Sequence, residues 1–180
     1  MVDVYWLADT GGALLLIAHL HTIWSKWNGN CSLRVFLHSS KALVVQTTAQ
    51  VMRMIQKFRI PVSSVEPFDM YLKPSRESFA RFPTVFAAAS DEVKESVMDS
   101  NKNYMSKLKR FMRIGEVIAK ESKESTFVYM TLPFPAVPDK LTAKQYLTWL
   151  EAVALADRGD GAPPICLLRG NQKNVLTFYS

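Results

Sequence analysis

Short runs of β-forming residues alternate with apolar stripes at helical spacing along almost the whole chain, and this alternation restricts the fold more than any other feature. Val2–Leu7 reads as a strand, closed by the turn Ala8-Asp9-Thr10-Gly11-Gly12. A helix follows, with Ala13, Leu16, Ile17, Leu20, Ile23, Trp24 and Trp27 on one face that must be covered, and Gly29 ends it. Leu33–Leu37 is the second strand. A helix from about Ala42 to Phe58 carries the stripe Val44, Thr48, Val51, Ile55 and Phe58. Pro61 lies beyond it, and Val62–Phe68 is a third strand that Pro67 places near an edge. From Tyr104 the helical period returns through Leu108, Phe111, Gly115 and Ile118. Phe127–Leu132 is the fourth strand. Thr142 is the N-cap of a helix bearing Tyr146, Leu147, Leu150, Val153 and Ala154. Ile165–Leu168 and Val175–Tyr179 complete the pattern, and the short connection between them favours an antiparallel hairpin. Such an order predicts an α/β fold: a mostly parallel five-stranded sheet, helices on both faces, and a C-terminal antiparallel edge strand.

With 180 residues, the chain is expected to form one domain over 1–180, interrupted by an irregular excursion at 69–100 where Pro74 and Pro83 break any period. Hydrophobic residues at 48% and charged residues at 21% fit an ordinary soluble domain rather than a disordered one. The longest apolar run, Ala13 to Leu20, falls short of the roughly 20 residues a membrane span needs. A net charge of +6 invites a nucleic-acid reading. However, Lys102, Lys107, Lys109, Arg110 and Arg113 follow an acidic stretch and read as a solvated helix face, so no nucleic-acid partner is expected.

The residues that carry chemistry are sparse. His19 and His21 lie two apart, roughly 200° around a helix, whereas a metal pair needs spacing of three or four. No metal or cofactor site is expected. Cys31 and Cys166 form no disulfide framework. Asp9, Gly11 and Gly12 stand where α/β folds bind ligands, yet no phosphate-binding glycine motif is present and Asp9 would repel an anion, so a structural turn is the simpler reading. Glu116 and Glu151 read as solvated or salt-bridged carboxylates, and no catalytic constellation emerges. An enzyme is not expected.

Several blocks go further than composition. Val2-Asp3-Val4-Tyr5-Trp6-Leu7 with its acidic turn and paired glycines, Leu33-Arg34-Val35-Phe36, Lys57-Phe58-Arg59-Ile60 and Met112-Arg113-Ile114-Gly115-Glu116 resemble, in order, the cytosolic tail of cation–chloride cotransporters. So do Tyr129-Met130-Thr131-Leu132-Pro133, Tyr146-Leu147-Thr148-Trp149-Leu150-Glu151 and the ending from Leu167 to Ser180, which looks most like the sodium-dependent branch. The resemblance implies a lobe related to the universal stress protein fold, lying on the cytosolic face of the plasma membrane. It implies a regulatory and dimerisation role in an electroneutral, chloride-coupled symporter. The implied partners are the parent's membrane domain and upstream cytosolic lobe, a second copy, and regulatory kinases. Serines and threonines of the irregular 69–100 excursion suit kinases as exposed segments do, and no spacing picks one. Trp149 and Tyr179 are the candidate interaction surface, with peripheral core as the competing reading for both. The alternative function is a nucleotide-binding module of the stress-protein type, although the glycine-rich signature after the fourth strand is replaced by Thr131-Leu132-Pro133-Phe134.

Overall fold

A computed structural model of the chain describes residues 1–7, 12–24, 31–39, 43–80, 102–134, 142–155 and 162–170. They fall into two compact units. One comprises Met1–Asp69, Glu124–Leu132 and the segment from Pro163 onward; the other comprises Met70–Lys123 and Pro133–Ala162.

The first unit is a sheet of five strands: β1 (Val2–Trp6), β2 (Leu33–His38), β3 (Ser64–Phe68), β4 (Phe127–Thr131) and β5 (Ile165–Leu168). Their order is β3-β2-β1-β4-β5, and every neighbouring pair is parallel. The α/β fold with a parallel five-stranded sheet is therefore as the alternation predicts. The strand predicted over Val175–Tyr179 lies outside the described residues. All five residues of β1 are buried, because a central parallel strand has both faces covered; four of them are hydrophobic and the fifth is Asp3. At the sheet's edge, β3 tolerates Pro67, whose missing N–H need not serve β2.

One face of this sheet (Val2, Val4, Trp6, Leu33, Val35, Leu37 and Tyr129) packs with Leu14, Leu15 and Ala18 of α1 (Ala13–Ile23) and Val51 and Ile55 of α2 (Val44–Lys57). Each fully buried Leu or Val there contributes about 1.5–3 kcal/mol. On the opposite face Tyr5 stacks on Phe36 at 4.6 Å, with Phe68 edge-on to Tyr5 at 5.8 Å.

Local backbone geometry fixes where the helices start and stop. Gly12 has φ 71°, in the left-handed region where a Cβ would clash, and its carbonyl accepts the Leu16 N–H at 3.0 Å to open α1. α2 ends in a Schellman motif. Arg59, at φ 52°, donates its N–H to the Gln56 carbonyl, and Ile60 donates to Ile55. Ile55 and Ile60 are both buried in the same core, the apolar contact that accompanies this cap.

In the second unit α3 (Lys102–Glu121) packs against α4 (Ala143–Leu155) through Tyr104, Leu108, Met112, Trp149 and Ala152. Thr142 caps α4 as predicted and forms a capping box. Its Oγ1 accepts the Gln145 N–H at 3.2 Å, and Gln145 Oε1 accepts the Thr142 N–H at 2.9 Å. Of the excursion at 69–100, residues 69–80 are described, with helix over 76–80.

Candidate interaction surface

The buried face of α1 is not the one the periodicity suggests. Leu14, Leu15, Ala18 and Thr22 are buried, while Ile17, Leu20, Ile23 and Trp24 are 41%, 52%, 57% and 60% exposed. The predicted stripe therefore faces outward. Leucine and isoleucine fall on both sides of the helix, so either face could have met the sheet. The one chosen is the one whose His21 reaches β4: its Nδ1 lies 2.7 Å from the Tyr129 hydroxyl, and its ring meets Phe127 edge-on at 5.4 Å. On α2 the outward side also carries Val45 and Met52, and Leu43 is exposed just ahead of that helix. Scattered exposed apolar residues are ordinary, but three along one helix with Trp24 at its C-terminal cap make a contiguous candidate surface.

Of its two readings, candidate interaction surface or core, Trp149 takes the second. It is 1% exposed, its ring stacked on Tyr104 at 5.9 Å and tilted against Phe111 at 5.2 Å. Within α4 the buried side runs through Thr148, Trp149, Ala152 and Val153, about one residue around from the predicted stripe, and Leu147 is left exposed. Of the turn residues, Gly12 is buried and takes the left-handed conformation just described. Asp9, Gly11 and Tyr179 lie outside the described residues.

Two polar sites were hidden in the sequence blocks. Asp3 is fully buried in the middle of β1 and lies opposite Arg34 in the register with β2. Arg34 Nε donates to Asp3 Oδ1 at 3.0 Å and Nη2 to Oδ2 at 2.8 Å, while the Ser125 hydroxyl donates to Oδ2. Paired this way, Arg34 is held further toward its charged form than usual, and it lies over the Phe36 ring at 4.7 Å. The signal available in sequence was an acid and an arginine at matching positions of two adjacent parallel strands.

The second site lies in the other unit. Glu116, on α3, accepts the Ser75 N–H at 2.6 Å and the Ser78 hydroxyl at 2.5 Å through Oε1, and Arg113 Nη1 at 3.0 Å through Oε2. Burial would push its carboxyl up, but the hydrogen bonds from Ser78, Ser75 and Arg113 outweigh it and hold the group below the ordinary glutamate value. The salt bridge with Arg113 agrees with the sequence reading of Glu116 as a paired carboxylate.

His19 is held toward its neutral form by burial, and neither it nor His21 joins a metal-binding group among the described residues. Cys31 and Cys166 are free and pack against the α1–α2 core, as small hydrophobes do. None of the helices described is long and apolar enough to cross a membrane.

The chain is thus an α/β protein whose parallel sheet carries a helix with an exposed apolar side. The sequence profile of solute carrier family 12 matches residues 1–180. Among individual proteins, human solute carrier family 12 member 2 is 30% identical over 99% of the chain, and mouse member 3 is 31% identical over 99%. Mouse member 1 is 28% identical, also over 99%. The chain belongs to solute carrier family 12, the cation–chloride cotransporter family that its sequence blocks resemble. It spans 16% of the human member 2, 19% of the mouse member 3 and 17% of the mouse member 1. These relatives are solute carriers, not enzymes.

Proposed function

We propose that this chain is a regulatory and assembly lobe on the cytosolic face of a sodium-dependent, chloride-coupled symporter of the plasma membrane, and that copies of the protein associate through it. The observation that carries this reading is the outward apolar stripe of α1, Ile17, Leu20, Ile23 and Trp24. Left in water, such a face forgoes the roughly 25 cal/mol that each Å² of apolar surface returns on burial, which favours a partner on that side. Membership of the family supports the transporter context, and the small share of each relative that the chain spans supports a part played within a larger protein.

The test is the solution mass of the chain by light scattering over a concentration series, with and without ATP. Association is expected to increase with concentration, to be indifferent to ATP, and to be abolished in Leu20→Lys/Trp24→Ser. Both positions are exposed, so the doubly substituted chain should keep its stability to within about 0.5 kcal/mol per site. A monomer at every concentration would refute assembly through this face. A monomer that binds ATP would favour a nucleotide-binding module in its place.

A further inference from the structure

The second unit contains a closed ring of hydrogen bonds where an exposed turn leads into the short helix over 76–80. The Ser78 N–H donates to Ser75 Oγ at 3.1 Å, and the Ser75 hydroxyl donates to Ser78 Oγ, also at 3.1 Å. The Ser78 hydroxyl and the Ser75 N–H both donate to one oxygen of Glu116. Glu116 thus clamps this segment to α3, and Arg113 neutralises its second oxygen. The two serines differ in access. Ser78 is half-buried with its hydroxyl committed to the carboxylate, while Ser75 is exposed between the exposed Lys73 and Arg76.

We propose that Ser75 is a phosphorylation site and that its modification opens the Glu116 clamp, freeing the segment at 75–80 from α3. The enzyme would be a protein kinase that reads basic residues on both sides of its acceptor, here Lys73 and Arg76. In the transfer, a bond forms between Ser75 Oγ and the γ-phosphorus of a nucleoside triphosphate as the γ-phosphorus bond to the bridging oxygen breaks. The nucleoside diphosphate leaves, and the hydroxyl proton passes to the kinase's base.

The product carries about −1.5 to −2 charges at neutral pH, two short hydrogen bonds away from a carboxylate that the fold already holds ionised. A phosphate oxygen can still accept the Ser78 N–H, but no hydroxyl remains to donate to Ser78 Oγ. The two anions then compete for Arg113, the cation that now serves Glu116 alone among the contacts of this ring. Like-charge repulsion expels the carboxylate, and the segment loses both of its bonds to α3.

Two measurements test this. Mass spectrometry on the intact protein, taken from the cells that make it with phosphatases inhibited, is expected to find phosphate on Ser75. Its absence would overturn the assignment. Phosphoserine installed at residue 75 of the intact protein is expected to speed amide exchange over residues 75–80 by about ten-fold or more. In a Glu116→Gln background, where no carboxylate is present to repel, the same phosphoserine should produce little further acceleration. Unchanged exchange in the parent protein, or an equal acceleration in Glu116→Gln, would refute the clamp mechanism.

Discussion

Replacing Asp3 by leucine should be among the most damaging single changes in the first unit, and the structure gives the size of the effect. Asp3 is 0% exposed and receives two hydrogen bonds from Arg34 and one from Ser125. Leucine removes the acceptor but leaves the guanidinium of Arg34, whose side chain is only 17% exposed, against an apolar neighbour. Breaking a buried pair in this way costs about 3–5 kcal/mol, against a total stability of about 5–15 kcal/mol for a domain. Adding Arg34→Met should recover most of that loss, because an ion pair replaced by packed apolar groups is close to neutral. About 1–3 kcal/mol should remain missing, since the Ser125 hydroxyl, buried and now without its acceptor, bears an unmet desolvation cost. A third change, Ser125→Ala, should return the chain to near its parent stability. Urea titrations followed by circular dichroism, with the slope checked for constancy across the series, provide the numbers. A loss under about 1 kcal/mol for Asp3→Leu alone, or no recovery on adding Arg34→Met, would show that the pair does not hold β1 to β2 as argued.

Gly12→Ala should destabilise the first unit by about 1–2 kcal/mol in the same titration, because φ 71° forces a Cβ into the left-handed region. Trp149→Ala should cost about 3–5 kcal/mol and appear as faster amide exchange along α3, whose Tyr104 and Phe111 rings lose their partner. Stability of the second unit should also depend on pH through Glu116. Its folded carboxyl lies below the ordinary 4.5, so its contribution is complete above that value and is lost as the pH falls from there through the folded value. Exchange of the amides at 75–80 between pH 6 and pH 3, after correction for intrinsic rates, should follow that loss, and Glu116→Gln should remove the dependence.

The order of elements was legible because its signals are local. β1, β2, β4 and β5 are short apolar or β-branched runs bounded by glycine, proline or polar residues, and the Thr142-x-x-Gln145 pair announces the start of α4 on its own. Pro67 correctly located an edge. The facing of the helices was not legible, and for one reason. α1 has leucine or isoleucine at residues 14, 15, 16, 17, 20 and 23, so a period of 3.6 selects no single side, and contact with Tyr129 and Phe127 decides. The two readings of Trp149, surface or peripheral core, stay open in the sequence for the same reason: α4 is apolar at 146, 147, 149, 150, 152 and 153, and the packed side is set by Tyr104 and Phe111 of a helix some forty residues upstream. The Asp3–Arg34 pair and the Ser75–Ser78–Glu116 ring join residues 31, 41 and 38 positions apart, and no window along the chain brings such partners together.

The position of Pro67 bears on how the protein avoids fibrous self-association. Among the described residues, β3 closes one end of the sheet, and an open strand there would offer its backbone as a template for the next chain. Pro67 removes one amide from that template, and the exposed Glu66 beside it adds a charge that an incoming strand would have to bury. Endless stacking from this end is thereby frustrated. A helix face, by contrast, is used up once a single partner covers it, so association through α1, as proposed, would stop at complexes of finite size.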